Sequence, residues 1–233
     1  MPKLDESLLT GLPPFRRLDR PQIQSILDQA TTLRVEPGHV IFHEDDEATR
    51  FFLLLDGFLR VVRVTPEGEH VTLLHLAPGQ LFGFARALGR TSYPATSVAA
   101  AESLVLWWPT KLWSDFAERF DGFATETYAT IGRRMGEMND NTVAMATQQV
   151  EQRVASALLR LVNQTGRRTG DGIEVGFPVT RQDLSEMTGT TLHTVSRMLS
   201  AWEKQGIVES RRKHITVREP HQLVLLSEAM ANR

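Results

Sequence analysis

The spacing of apolar residues changes character along the 233 residues of the chain. From 33 to 108 they come in short runs, at 33–35, 40–42, 51–55, 58–64, 70–75, 96–99 and 103–107. Turn formers separate the runs: Glu36-Pro37-Gly38, Asp56-Gly57, Thr65-Pro66-Glu67-Gly68-Glu69 and Ala77-Pro78-Gly79. Many short strands broken by glycine and proline predict a closed sandwich or barrel, here a jelly roll. Residues 81–91 interrupt the strand pattern and predict a short helix, which serves equally well as a pocket wall or as a plain crossover. Ahead of the strands, 4–32 reads as short helical pieces. Leu18, Ile23, Ile26 and Leu27 give an apolar face there, and Pro21 stands near a helix start. This piece is expected to lie as a lid on the sheet that follows.

Past residue 112 the period lengthens to that of a helix. Ala124, Tyr128, Ile131, Met135, Met138, Thr142 and Met145 step alternately by four and three, an a/d seam over three heptads. A strict 3.5-residue period argues for a helical partner over packing on the helix's own domain, so a parallel homodimer is expected. Thr142 and the methionines make the seam soft. A further helix is predicted at 149–165, with Val150, Val154, Leu158, Leu161 and Val162 inward. Residues 167–172 read as a loop, and 220–233 as a short terminal helix.

Residues 180–217 carry the most specific pattern. Thr180 with Asp183 three positions on resembles a capping pair, with Asp in place of the usual Glu or Gln. Gly189 offers a permissive turn, and Thr190 or Thr191 can cap the next helix. Leu184, Val195 and Met198 are spaced to pack the two helices together. Leu192, His193, Ser196 and Arg197 are then left on the outer face of the second helix. Gly206 ends that helix. Ile207-Val208, Arg211-Arg212-Lys213 and Ile215-Thr216-Val217 read as strand, basic turn and strand. A helix-turn-helix followed by a basic hairpin is a winged helix, suited to a DNA major groove with the wing tip at phosphate.

Charge supports a division of labour. Residues 150–233 hold 12 Lys and Arg against 9 Asp and Glu, and residues 1–149 hold 14 against 19, within a net charge of −2. A basic back half and an acidic front half fit one nucleic-acid module beside one with another task. The chain has no cysteine, which excludes disulfides, thiol nucleophiles and switches, cysteine zinc sites and thiolate-held iron–sulfur clusters. No run of about 18 apolar residues exists to span a membrane, and the first residues lack the apolar core of a signal peptide. These features predict a cytoplasmic protein with no membrane partner.

The barrel, the long helix and the C-terminal winged helix together resemble the CRP/FNR family of bacterial transcription regulators, over nearly the whole chain. The strongest part runs from Val179-Thr180-Arg181-Gln182-Asp183-Leu184 through Gly189 to Thr194-Val195-Ser196-Arg197. Gly38, Gly57 and Gly79 also fall where the family has barrel glycines. The resemblance implies an α+β chain: an N-terminal cyclic-nucleotide-binding-like β jelly roll over 1–111, a long dimerisation helix over 112–148 and a C-terminal winged helix-turn-helix over 149–233. It also implies a homodimer on a roughly palindromic double-stranded DNA site with TTG-type half-arms. RNA polymerase would be a further partner, and the resemblance fits an activator while leaving activation and repression both open. Arg197 matches the family arginine that reads guanine, and Ser196 the serine beside it in the FNR-like branch. His193 stands where the family usually has glutamate, which puts the half-site sequence in doubt. Thr180, Arg181, Lys213 and His214 are candidate phosphate contacts, and Thr191, Leu192, His193, Ser196 and Arg197 complete the expected DNA-facing set.

For the effector, Phe82, Gly83, Phe84, Arg86, Arg90 and Tyr93 are the candidate pocket residues. The cyclic-nucleotide branch has Phe-Gly-Glu where this chain has Phe82-Gly83-Phe84, so the ribose-binding acid is missing. Arg90-Thr91-Ser92 matches the phosphate-binding motif only in part, which argues against cyclic AMP. Tyr93-Pro94-Ala95-Thr96, taken with residues 190–197, is similar to the nitric-oxide-responsive branch that controls denitrification genes. That branch is thought to sense through haem. Haem is therefore a candidate cofactor, with His39, His43, His70 and His75 as candidate ligands and none assigned. A cupin-type enzyme would need a His-x-His pair with a nearby carboxylate. His39 and His43 have the wrong spacing and no acid joins them, so a non-enzyme is expected.

Overall fold

The computed structural model describes residues 5–65, 68, 70–211 and 214–228. The chain forms two compact units. The first is Met1–Arg63 with Leu74–Glu137, and the second is Val64–Leu73 with Met138–Arg233.

The N-terminal half of the chain forms two four-stranded sheets. Its strands are β1 (Thr31–Val35), β2 (Val40–Phe42), β3 (Arg50–Asp56), β4 (Leu59–Val64), β5 (His70–Leu76), β6 (Leu81–Phe82), β7 (Thr96–Ala99) and β8 (Ser103–Pro109), all in the first unit except Val64 of β4 and residues 70–73 of β5. One sheet runs β1-β8-β3-β6 and the other β2-β7-β4-β5. This is the expected jelly roll, with the two-residue β6 added where only a helix was predicted. The helix there is a single 3-10 turn, Ala85–Leu88.

The unbroken apolar run of β3 has a structural reason. Phe51 and Leu53 face one core, and Phe52 and Leu54 face another. Side chains alternate across a strand, so a sheet covered on both faces needs apolar residues at successive positions. The same split puts Leu106 and Trp108 on one side of β8 and Val105 on the other. The outer core is closed by the expected lid, α1 (Arg20–Leu27) with the turns before it, and by α2 (Trp113–Arg119). Leu9, Phe15, Ile23, Ile26 and Phe116 are fully buried there. Each such side chain contributes about 1.5–3 kcal/mol. Trp108 Nε1 donates to the Ile26 carbonyl at 2.9 Å, so the buried indole keeps its partner. α1 starts at Asp19, whose capping box with Gln22 satisfies two free backbone donors.

The single long helix expected over 112–148 is broken: α2 ends at Arg119, Gly122 takes φ 83°, and α3 (Phe123–Thr147) then runs for 25 residues. Along the predicted seam, Tyr128, Met135, Met138 and Met145 are between 40% and 65% exposed, and Thr142 is also open. Ala124 is half-buried and Ile131 packs against the outer core of the first unit. Three heptads are thus presented with their C-terminal two-thirds uncovered in one chain.

The second unit contains α4 (Val150–Thr165), β9 (Arg167–Thr169), β10 (Gly172–Glu174), α5 (Arg181–Thr188), α6 (Leu192–Lys204), β11 (Val208–Arg211), β12 (His214–Val217) and α7 (Pro220–Glu228). Val154, Leu158, Leu161 and Val162 of α4 are buried, as expected, and Val150 is half-buried. The predicted loop at 167–172 is instead a tight hairpin. β10 pairs with β9 and β12, giving the sheet β11-β12-β10-β9. Gly170-Asp171 forms its two-residue turn, and Gly172 at φ 142° lies 2.3 Å, at its missing Cβ, from the Val217 carbonyl. Only glycine fits there. The hairpin was hidden because its strands are three residues long and polar.

Candidate DNA-binding interface

α5, the turn after it, α6 and the β11–β12 wing make one face of the second unit. Thr180 opens α5. Its hydroxyl accepts from the Asp183 amide at 3.0 Å and donates to Asp183 Oδ2 at 2.7 Å, while Asp183 Oδ2 accepts from the Thr180 amide at 2.7 Å. The predicted capping pair is therefore a complete box even with the shorter Asp. Gly189 closes α5 at φ 59°, ψ 42°, the left-handed conformation. Three bonds pin the turn: the Gly189 amide to the Ser185 carbonyl, the Thr190 amide to the same carbonyl at 3.3 Å, and the Ser185 hydroxyl to the Thr190 carbonyl at 2.6 Å. Thr191, not Thr190, caps α6, accepting from the Thr194 amide at 3.2 Å.

The two helices pack through Leu184, Val195 and Leu199, all fully buried, with Trp202 behind them. Leu199 takes the place predicted for Met198, which is half-buried. On a 3.6-residue helix the position four after Val195 stays closer to its face than the position three after. Arg153 Nε of α4 donates to the Thr188 carbonyl at 2.9 Å, and Trp202 Nε1 of α6 to Glu151 Oε1 of α4 at 3.3 Å. The pair of helices is held on α4 by polar bonds as well as by packing.

Leu192, His193 and Arg197 are exposed on the outer face of α6, and Ser196 is half-buried beside them. Arg197 has no acid partner among the described residues. The other candidates are more constrained. Arg181 lies 3.5 Å from Glu203 of α6, and His214 Nδ1 lies 3.0 Å from Glu174. The Thr180 hydroxyl is spent on the capping box, which leaves its outer lone pair. Arg211 and Arg218 at the wing both pair with Glu209. Lys213, at the predicted wing tip, lies outside the described residues.

A cleft of about 410 Å³ runs between the start of α5, Leu192 and the wing. Thr180, Arg181, Leu192 and His214 line it, so the structure brings these predicted residues together. Gln182 and Ser210 line it too and were not foreseen. Gln182 is exposed at the second position of α5, and a polar residue just inside a cap was the available signal. A cleft flanked by a helix bearing an exposed Arg and His, with the β11–β12 hairpin at its side, can take a nucleic-acid backbone while α6 meets base edges.

The six predicted effector residues do not share one pocket. Phe82 and Tyr93 are buried in the barrel interior, where Phe42 stacks on Tyr93 at 3.8 Å and lies 5.5 Å from Phe52 and 6.1 Å from Phe82. Gly83, at φ 66°, is wedged against these rings, and a Cβ there would stand 2.7 Å from Phe52. Phe84 belongs to the outer core, and Arg86 and Arg90 are exposed on the outside. Strand alternation through β6 and the 3-10 turn after it send neighbouring side chains to different faces. Tyr93 donates to the Arg50 carbonyl at 2.8 Å, and burial pushes its phenol pKa up, which keeps it a donor.

Arg134 of α3, which no pattern singled out, is held at β6. It donates to the Leu81 carbonyl at 2.9 Å and to Gln80 Oε1 at 3.2 Å, and its guanidinium lies 5.5 Å from the Phe84 ring centre. Burial lowers its pKa to about 10, which leaves it charged at neutral pH.

No group of three His, Cys, Asp or Glu that could hold a metal ion occurs among the described residues. His39 and His43 are exposed and His75 is half-buried. The side chain of His70 lies outside the description. With the rings of Phe42, Phe52, Phe82 and Tyr93 packed against one another in the barrel, the described residues there do not fit a haem. Among the described residues no helix is long and apolar enough to cross a membrane.

Comparison with known proteins places both halves. Residues 152–226 match the Crp-like helix-turn-helix domain and 32–120 the cyclic nucleotide-binding domain, well over half of the chain together. The chain is 27% identical over 211 residues to the Cyclic AMP receptor protein of Thermus thermophilus, covering 91% of this chain and 94% of that one. It is 24% identical over 207 residues to the Fumarate and nitrate reduction regulatory protein of Salmonella typhimurium, covering 88% and 81%. Its fold is that of FixK2 from Bradyrhizobium japonicum, with a TM-score of 0.75 at 23% identity over 84% of this chain and 96% of that one.

Proposed function

As this chain belongs to the CRP/FNR family of DNA-binding transcription regulators, we propose that it acts as a homodimer on a roughly palindromic site with TTG-type half-arms. The observation that carries this reading is Arg197: exposed on the capped, buried-backed α6 and without an acid partner among the described residues. An Arg bidentate to guanine O6 and N7 discriminates by about 1–3 kcal/mol. His193 on the same face can donate to a base or phosphate and is a poor acceptor for cytosine N4, so the neighbouring base preference departs from that of a glutamate-bearing relative. The open methionine and tyrosine seam of α3 supports pairing with a second copy, which would set the two α6 helices about 34 Å apart along one side of the duplex. RNA polymerase and activation of transcription belong to the same reading.

The reading is tested by fluorescence anisotropy with a palindromic TTG-type duplex and a scrambled duplex at one salt concentration. Arg197→Ala should remove the preference between them and keep the salt-dependent non-specific binding. An unchanged preference in that variant refutes the role of Arg197.

For the signal, the proposal is nitric oxide or a related nitrogen-oxide or redox input through the N-terminal unit. It is supported by the Tyr93-Pro94-Ala95-Thr96 segment and by a relative named for fumarate and nitrate reduction. Cyclic AMP is a poor fit, because Phe84 is turned into the outer core and rings fill the barrel interior. The same filling favours a second reading, a regulator whose barrel takes no effector at all. An absorption spectrum of protein purified without oxygen, with and without added haem and nitric oxide, separates the two. A Soret band that shifts with nitric oxide supports the sensor and refutes the misfit with haem derived above, and no spectral change supports the second reading.

A further inference from the structure

The first unit has a concave surface on its outside, about 400 Å³ in volume and within the range of small-ligand sites. Arg86, Arg90 and Lys111 line it against a single acid, Glu47. All three cations are exposed, and none has an acid partner among the described residues. They come from separate segments that backbone bonds tie into one frame. Arg86 and Arg90 flank Gly89, which closes the 3-10 turn at φ 68° with its amide on the Arg86 carbonyl at 3.0 Å, and the Arg90 amide returns to the Ala85 carbonyl at 3.0 Å. The Ala48 amide donates to the Thr91 carbonyl at 2.8 Å. On the other side the Thr110 amide donates to the Thr49 carbonyl at 2.8 Å, and the Thr110 hydroxyl to the Ala48 carbonyl at 2.7 Å. The arginine loop and the lysine turn are thereby both bound to residues 48–49. The backbone that carries the cations is fixed before any ligand arrives, and the exposed side chains are ordered on binding. The Thr110 hydroxyl hydrogen is committed, whereas Thr49, Thr91 and Ser114 also line the surface and carry hydroxyl donors.

We propose that this surface binds a small multivalent oxyanion, a phosphorylated or polycarboxylate metabolite, through Arg86, Arg90 and Lys111. Two guanidinium forks match the paired oxygens of either group, and the lysine adds a point charge. The site is separate from the barrel interior, where Phe82 and Tyr93 point, and it stands independently of the DNA reading.

The full chain is titrated by calorimetry with inorganic diphosphate and, separately, with citrate, at constant ionic strength in chloride. One saturable site per chain is expected, weakened at least about tenfold in Arg86→Gln/Arg90→Gln/Lys111→Gln and unchanged in Arg197→Ala. The substituted positions are exposed, and far-ultraviolet circular dichroism checks that the triple variant folds. Tighter binding of diphosphate assigns a phosphoryl ligand, and tighter binding of citrate a polycarboxylate; both support the site. The proposal is overturned if neither anion binds beyond the chloride control, if the triple variant binds as well as the parent, or if Arg197→Ala is the variant that loses binding. Sequence-specific DNA binding by the triple variant, measured separately, keeps the fate of this site distinct from that of the DNA reading.

Discussion

Replacing Gly189 by alanine isolates what the turn between α5 and α6 asks of the backbone. Gly189 sits at φ 59°, ψ 42°, where an L-residue is strained by about 1–2 kcal/mol. Space is available: an added Cβ would lie 3.7 Å from Met145 Cε, an ordinary contact, so no overpacking is added. The expected loss in Gly189→Ala is therefore the backbone strain alone, about 1–2 kcal/mol. Gly189→Asn should lose less, because Asn tolerates the left-handed region. Native-state hydrogen exchange followed by mass spectrometry reads the effect locally. Amides of α5 and α6 should exchange about 5–30-fold faster in the alanine variant, and those of β3 and β8 in the first unit should be unchanged. Asparagine matching alanine, or alanine matching glycine, would refute the claim that conformation and not space selects glycine here.

Other expectations follow from single contacts. Met135→Glu with Met138→Glu puts charge on the open seam and should turn a dimer into monomers in sedimentation velocity, with the far-ultraviolet spectrum unchanged. Gly83→Ala should lower stability in urea by about 1–3 kcal/mol from overpacking, since the new Cβ meets Phe52 at 2.7 Å, with left-handed strain in addition. Tyr93 has its folded-state pKa raised above its ordinary 10.0, mainly by burial. Its contribution is thus fully present below pH 10 and is lost as pH rises through the folded value, because only the unfolded chain ionises easily. Tyr93→Phe should flatten that alkaline decline in urea midpoints while costing about 0.5–1.5 kcal/mol at pH 8 for the bond to Arg50.

Local pattern alone decided a great deal here. The longer strands of the barrel, the α3 heptads, the Thr180–Asp183 cap and the Gly189 turn could all be read because each depends on residues within a few positions of one another. Arg197 and His193 could be placed outward for the same reason, since helix period alone sets their direction. Only the tertiary structure decided which side of a two-faced sheet a residue served. Phe82, Phe84, Arg86 and Tyr93 lie within a dozen positions of one another, yet they went to the barrel interior, the outer core and the solvent, because the chain there changes conformation every two or three residues. Likewise Arg134 met Leu81, and Lys111 joined Arg86 and Arg90, across separations of more than 20 residues that no periodicity encodes. The short polar hairpin at 167–174 exists because β12 supplies the missing edge. The sequence by itself therefore determined most of the elements and the outward face of α6, and the fold decided the short strands β6, β9 and β10 and which distant side chains share a surface.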